Sequence, residues 1–181
     1  MYSDFRAGFI RLLKSFDENP DDVVQITRAF GLATKVHKGQ FVDKGEPYVN
    51  HSLRVALVLA EELKMRDTAL ICAALLHDAQ IPDDELKEFG ERVYSIVRGI
   101  DSWAKERASE EYFASMTKAS KDTRYIKIAE RLDDIRGMRG QGFKDKVIRY
   151  KEETQKYVVP IAAATDDRLA FKLSVALYEL K

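Results

Sequence analysis

Cysteine is nearly missing from this 181-residue chain: there is one, Cys72, inside the apolar run ALICAALL. A disulfide framework and a sulfur-rich metal site are both excluded, and the expectation for Cys72 is a buried structural thiol. Net charge is missing as well. Thirty basic residues offset thirty acidic ones, so no global field draws the chain to nucleic acid or to an anionic membrane, and any charged partner must be recognised locally. No run approaches the roughly 18 apolar residues of a membrane span, and the opening MYSDFRAGFIRLLK lacks the apolar centre of a signal peptide. A soluble cytoplasmic protein is expected, with neither nucleic acid nor membrane as partner. Strands are wanting too: no segment makes a convincing one, and there is no internal repeat.

What is present is helical periodicity. Residues 3–15 carry Phe5, Phe9, Leu12 and Leu13 at helical spacing. A second helix is expected to open near Asp21, capped by its carboxylate. It aligns Val24, Thr27, Phe30 and Thr34 beside Val23, Ile26 and Ala33, and ends before Gly39. GQFVDKGEPY reads as a turn-rich connection. LRVALVLAEEL and TALICAALLHD follow, the latter apolar almost all round and so expected at the centre. A short helix over 83–88, ERVYSIVRGI, residues 110–118 and TRYIKIAERLDDIRGM come next. A long helix with Pro160 near its last turns precedes DRLAFKLSVALYELK. That terminal stripe suits an intramolecular core or a homodimer equally well. The expectation is an all-α fold, a compact bundle of about eight helices, in one domain spanning residues 1–181.

The stretch LLHDAQIPDDE, residues 75–85, sets His77 beside Asp78 at the end of that apolar helix and then breaks it with Pro82. An aspartate there faces the negative end of the helix dipole, at a cost of up to about 1 kcal/mol, so a compensating positive group is expected. A divalent cation fits, because adjacent imidazole and carboxylate groups sit about 100° apart around the axis and can grip one ion from two angles. The same pair also reads as a core histidine and a loop cap bonded to turn amides. The two remaining histidines are His37 and His51. His51 follows GEPYVN at the mouth of a helix, where the loop can hold it open to solvent. His37 reads as a helix-end hydrogen-bonding group. Lys127, Glu130 and Asp134 share one helix face, opposite Ile128, Leu132 and Ile135. That polar face is either a solvated salt-bridge surface or a source of one more carboxylate ligand.

Taken together, HKGQFVDKGEPYVNHSLRVA, AALLHD and KIAERLDDIRGMR resemble the hydrolase domain of the RelA/SpoT family. These are HD-type enzymes that remove pyrophosphate from the 3′ position of guanosine tetra- and pentaphosphate. FGERVYSIVRGI, EEYFASMTKASKDTRYIKIAERL and KEETQKYVVPIA match successive helices, so the resemblance covers residues 22–162. Free-standing small alarmone hydrolases look most similar in length. The resemblance implies His51, His77 and Asp78 as ligands of one manganese-like ion, Mn2+, with Glu130 standing where the family has a fourth ligand, an aspartate. It implies a part in orienting the attacking water for Asp134, which matches an asparagine. Lys44, Lys127 and Arg131 are the basic residues available to offset phosphate charge.

The chain departs from that family in two places. After the His-Asp pair the family carries adjacent glutamate and aspartate; here the segment is shorter, with Ile81 and Pro82 at that place. Asp83 and Asp84 either stand in for the acidic pair or fill the first turn of the next helix. Before GEPY, an Arg-Lys-Ser-like run is replaced by Val42, Asp43 and Lys44, so the arginine that stacks on guanine is absent. Tyr48 reads as an anchor for this loop. Two functions stay in view. One is metal-dependent hydrolysis of a small nucleotide-like phosphoester or pyrophosphate, guanosine 3′,5′-bis(diphosphate) among the candidates; the other is a nucleotide-binding or regulatory module on the same scaffold.

Overall fold

The structure, a computed structural model, describes residues 2–42, 45–104, 110–139 and 144–180. Among them every regular element is helical, and the only β-type pairing is an isolated antiparallel bridge between Phe41 and Pro47. The all-α expectation holds. Among the described residues there are eleven α-helical segments, two of which are joined end to end by a π-helical turn. None of the described helices is long and apolar enough to cross a membrane. The chain forms two compact units, residues 1–102 and 103–181.

The first unit contains α1 (Tyr2–Lys14), α2 (Pro20–Val36), α3 (Val49–Leu57), α4 (Thr68–Leu76), α5 (Asp83–Lys87) and most of α6 (Glu91–Ala104). Its middle is α4, which packs on both α2 and α3. Leu70 through Leu76 are wholly buried, because the run is apolar on every side and no face prefers water. Asp67 starts this helix, its side chain accepting from the Leu70 amide at 3.1 Å. At α1 the small residue Gly8 permits close approach: a Cβ there would lie 3.4 Å from the side chains of Leu53 and Leu57 on α3. Phe9 stacks on Phe30 of α2 with ring centroids 4.1 Å apart.

The α2 helix differs from its sequence reading in two respects. Its cap is Asn19, whose side chain accepts from the Asp21 amide at 3.1 Å, with Pro20 at the first helical position where no amide hydrogen is needed. Its buried line is Ile26, Ala29, Phe30 and Ala33, while Val24, Thr27 and Thr34 are exposed. Two of these are small alanines, weak in any hydrophobic pattern. The same line ends at His37, which caps the helix and is buried.

The second unit contains α7 (Glu110–Lys118), α8 (Lys121–Gly137), α9 (Lys144–Glu153), α10 (Val159–Ala163) and α11 (Asp167–Glu179). Ser120 caps α8 and Asp166 caps α11, each accepting a first-turn amide. Between α9 and α10 the rod continues through a π-helical turn, Thr154–Val158. Pro160 explains it, since proline offers no amide and crowds the carbonyl four residues back; a wider turn relieves both. Helix α11 packs on α8 and α10. It buries Leu169, Leu173, Ala176 and Leu177, whereas Phe171, Val175 and Tyr178 face outward. The terminal stripe therefore divides in two, one line serving the core of its own unit.

Candidate metal centre

Three side chains meet where α3 begins and α4 ends. The connection before α3 is a tight reversal: the Val42 amide donates to the Glu46 carbonyl at 2.9 Å, and Gly45 adopts φ +73°, a left-handed conformation that glycine takes without strain. The Tyr48 amide then donates to the Gln40 carbonyl at 3.0 Å. Glu46 accepts from Asn50 at 2.9 Å and from Arg54 at 2.5 Å, tying the reversal to the helix it feeds. His51 thus enters in the first turn of α3. It is buried, not held open to solvent as the loop-edge reading expects, because α3 starts at Val49 and the first turn already packs inward.

His77 caps the C-terminal end of α4 and is 0% exposed. Its Nδ1 lies 2.7 Å from the Ala74 carbonyl, which can only accept, so Nδ1 carries the proton. In the neutral ring Nε2 then keeps its lone pair, and it faces Asp78 Oδ2 at 3.1 Å. Two electron-rich atoms at that spacing repel one another unless a proton or a cation lies between them. His51 Nε2 lies 3.9 Å from the same oxygen, and the two imidazole rings are 5.7 Å apart. One ligand atom from each of His51, His77 and Asp78 falls within 4.8 Å of the others. Donors about 2.1 Å from a shared ion are roughly 3–4.2 Å apart, and both imidazole distances to Asp78 Oδ2, 3.1 and 3.9 Å, fall in that range; imidazole nitrogen and carboxylate oxygen are also the ligand types a divalent metal takes. Asp78 is the open side of the cluster, with 26% of its side chain exposed. Its Oδ2 also accepts from the Tyr48 hydroxyl at 2.9 Å.

The segment after the pair is fastened. Arg98 of α6 donates to the Ile81 carbonyl at 2.5 Å, to Asp83 at 2.8 Å and to Asp101 at 2.7 Å. Tyr94 adds a hydrogen bond to Asp83 at 3.1 Å. The Arg98 bond holds the Asp83 carboxyl below its ordinary value. Asp83 lies at the first position of α5, and Asp84 is exposed beside it. Sequence reasoning did not find Arg98 or the Tyr48 bond to Asp78, because both act across long stretches of chain.

Other candidate residues lie in the second unit. Lys127 donates to both oxygens of Glu130, at 2.7 and 2.6 Å. Asp134 accepts from the Tyr150 hydroxyl at 2.5 Å, and that hydroxyl is pushed well up by burial and by the Asp134 charge. The Arg131 guanidinium lies 3.3 Å above the Tyr150 ring and donates to Thr154 at 2.8 Å. Lys127, Glu130 and Arg131 line one cavity of about 30 Å³ with Tyr112 and Tyr150, room for a single water. Lys44 and its neighbour Asp43 lie outside the described residues.

A family model described as an HD domain matches residues 29–166. The chain belongs to the HD-domain family. The HD domain here is similar to the guanosine-3′,5′-bis(diphosphate) 3′-pyrophosphohydrolase of Aquifex aeolicus (strain VF5), with 35% identity over 162 residues, covering 83% of this chain and 23% of that protein. It is also similar to the GTP pyrophosphokinase of Streptomyces antibioticus, with 36% identity over 150 residues, covering 76% of this chain and 18% of that protein. The chain thus spans about a fifth of the length of these curated relatives. A solved structure described as a metazoan ortholog of SpoT that hydrolyses ppGpp shares the fold, with a TM-score of 0.75 at 24% identity, covering 87% of this chain and 97% of that one. This HD domain carries a His/His/Asp cluster able to coordinate a divalent metal.

Proposed function

We propose that this HD domain is a Mn2+-dependent phosphohydrolase acting on a small nucleotide-like phosphoester or pyrophosphate, with guanosine 3′,5′-bis(diphosphate) as the first substrate to test. The observation that carries the reading is the convergence of His51, His77 and Asp78 on one point. Similarity to a named 3′-pyrophosphohydrolase over 83% of the chain supports the substrate class. A bound divalent ion supplies a more acidic water and a polarised phosphate oxygen. The protein's own part begins with His77, which α4 holds by its cap position and by the bond to Ala74. That bond presents the unprotonated nitrogen to the cluster, as a metal ligand requires. Burial of His51 and His77 excludes competing water, and the exposed edge of Asp78 leaves a side from which a phosphate can approach. The roles of Glu130 as a further ligand and Asp134 as a water-orienting acid follow from the family resemblance. Charge compensation by Lys44, Lys127 and Arg131 belongs to the same proposal.

A second reading is favoured by one observation: Asp83, an acid that a hydrolytic loop would use, is engaged by Arg98 and Tyr94. It makes the domain a binding or regulatory module with weakened turnover. Protein purified without chelator, assayed for metal and then for hydrolysis of a nucleotide panel with and without Mn2+, tests the first reading against the second. One divalent ion per chain with Mn2+-dependent release of pyrophosphate or phosphate supports the enzyme. One ion with no cleavage of guanosine or adenosine 3′-polyphosphates, or of simple monophosphates, supports the module. Glu130→Gln with full metal content would remove Glu130 from the ligand set.

A further inference from the structure

Tyr48 does more than anchor the loop that its position in GEPYVNH suggests. Its hydroxyl lies 2.9 Å from Asp78 Oδ2, the same oxygen that stands 3.1 Å from His77 Nε2 and 3.9 Å from His51 Nε2. Asp78 follows the end of α4, where the last carbonyls repel a carboxylate and offer it no donor. The helix therefore does not hold Oδ2 in place; a donor from elsewhere has to.

The ring that brings this donor is itself fixed. Tyr48 lies against the His37 ring at 4.7 Å between centroids and meets the His51 ring edge-on at 5.9 Å. His37 is buried at the end of α2, with Nδ1 2.9 Å from Gln40 Oε1, and the Gln40 carbonyl accepts the Tyr48 amide at 3.0 Å. Gln40 thus engages both the histidine under the ring and the backbone that carries the ring. This gives buried His37 a part at the site although it is not in the ligand cluster.

We propose that Tyr48 is a positioning residue for the metal centre: its O–H aims Asp78 Oδ2 at the two imidazole nitrogens, and the His37–Gln40 pair aims Tyr48. The inference rests on the metal-centre reading above. Outer hydrogen bonds of this kind change metal affinity by about 10- to 100-fold. The phenol suits the task because its single O–H is a directed donor, 2.9 Å from Asp78 Oδ2.

The test uses the full chain, stripped with chelator and titrated calorimetrically with Mn2+, comparing wild type, Tyr48→Phe and Tyr48→Ala. Tyr48→Phe keeps the ring on His37 and removes only the donor. It should weaken Mn2+ binding by about 10-fold or more while metal-free Tm stays within about 2 °C of wild type. Tyr48→Ala should lose both affinity and Tm, so the phenylalanine variant rescues the fold but not the ion. Mn2+ binding by Tyr48→Phe within twofold of wild type would overturn the role of Tyr48 alone. So would a Tm loss in Tyr48→Phe as large as that in Tyr48→Ala, which would mark a packing role. Absence of Mn2+ binding by wild type itself would overturn the metal centre, and this inference with it.

Discussion

Asp78→Asn should separate the stability of the fold from the chemistry of its site, and with opposite signs. In the metal-free protein the Asp78 carboxylate sits just beyond α4, opposed by the helix dipole and facing His77 Nε2 at 3.1 Å. Replacing it with an isosteric neutral amide removes both repulsions and retains an oxygen for Tyr48. The dipole term alone is about 0.3–1 kcal/mol for an exposed charge. Only 26% of the side chain is exposed, so solvent screens it little and the term lies toward the upper figure. Metal-free Asp78→Asn is therefore expected to be as stable as wild type or up to about 1 kcal/mol more so, a Tm unchanged or raised by up to roughly 4 °C. With Mn2+ the order inverts. An ion at 100 times its Kd adds about 2.7 kcal/mol to wild type, which for a chain of this size raises Tm by roughly 5–10 °C. The amide, a poor ligand, should gain little of that. Thermal melts at pH 8 in chelator and in Mn2+, for both proteins, give all four values. A metal-free loss above about 1 kcal/mol, or an undiminished Mn2+ shift in the variant, would refute the reasoning.

Other expectations follow from single contacts. Arg98→Met should cost about 1–2 kcal/mol, because the Ile81 carbonyl loses its Arg98 donor; hydrogen exchange at residues 79–84 should accelerate while α4 stays protected. In the second unit, hydrogen bonds from Arg168 lower the Asp166 carboxyl from 3.8 to about 2. A depressed folded-state value stabilises above the ordinary pKa and is lost as pH falls through the lower one. Between pH 5 and 2 that unit should lose about 2 kcal/mol, reduced toward 1 because Arg168 is 55% exposed; in urea titrations Asp166→Asn should flatten this slope. Burial pushes the Cys72 thiol up to about 12, so a thiol reagent at pH 8 should leave the native chain unlabelled and label it fully once unfolded.

Much of the fold was legible because it rests on local pattern. The α4 helix could be read directly, since nothing polar interrupts TALICAALL and His77, Asp78 and Pro82 mark its end. The Lys127–Glu130 pair followed from i, i+3 spacing. The buried face of α2 was less legible because Ala29 and Ala33 bury little area and so weigh little in a pattern, while Val24 and Thr27 weigh more and point to water. Asn19 was overlooked as a cap because Asp21 offers a similar side chain two residues later. What periodicity cannot reach is a contact made by folding. Arg98 meets Ile81 from 17 residues away, and Tyr48 meets Asp78 from 30. No spacing rule connects either pair, so the side chains that fasten the candidate site emerged only in three dimensions.

The burial of residues 70–76 of α4 couples mutational drift in the interior to chemistry at the end of the helix. Seven consecutive residues, Leu70 to Leu76, have no exposed area, so a methyl group gained or lost anywhere on that rod must be met by a cavity or by movement of the rod or its neighbours. His77 and Asp78 ride on its end. Where the rod moves, an aliphatic exchange in the middle of the protein reaches the imidazole and the carboxylate at its end without touching either.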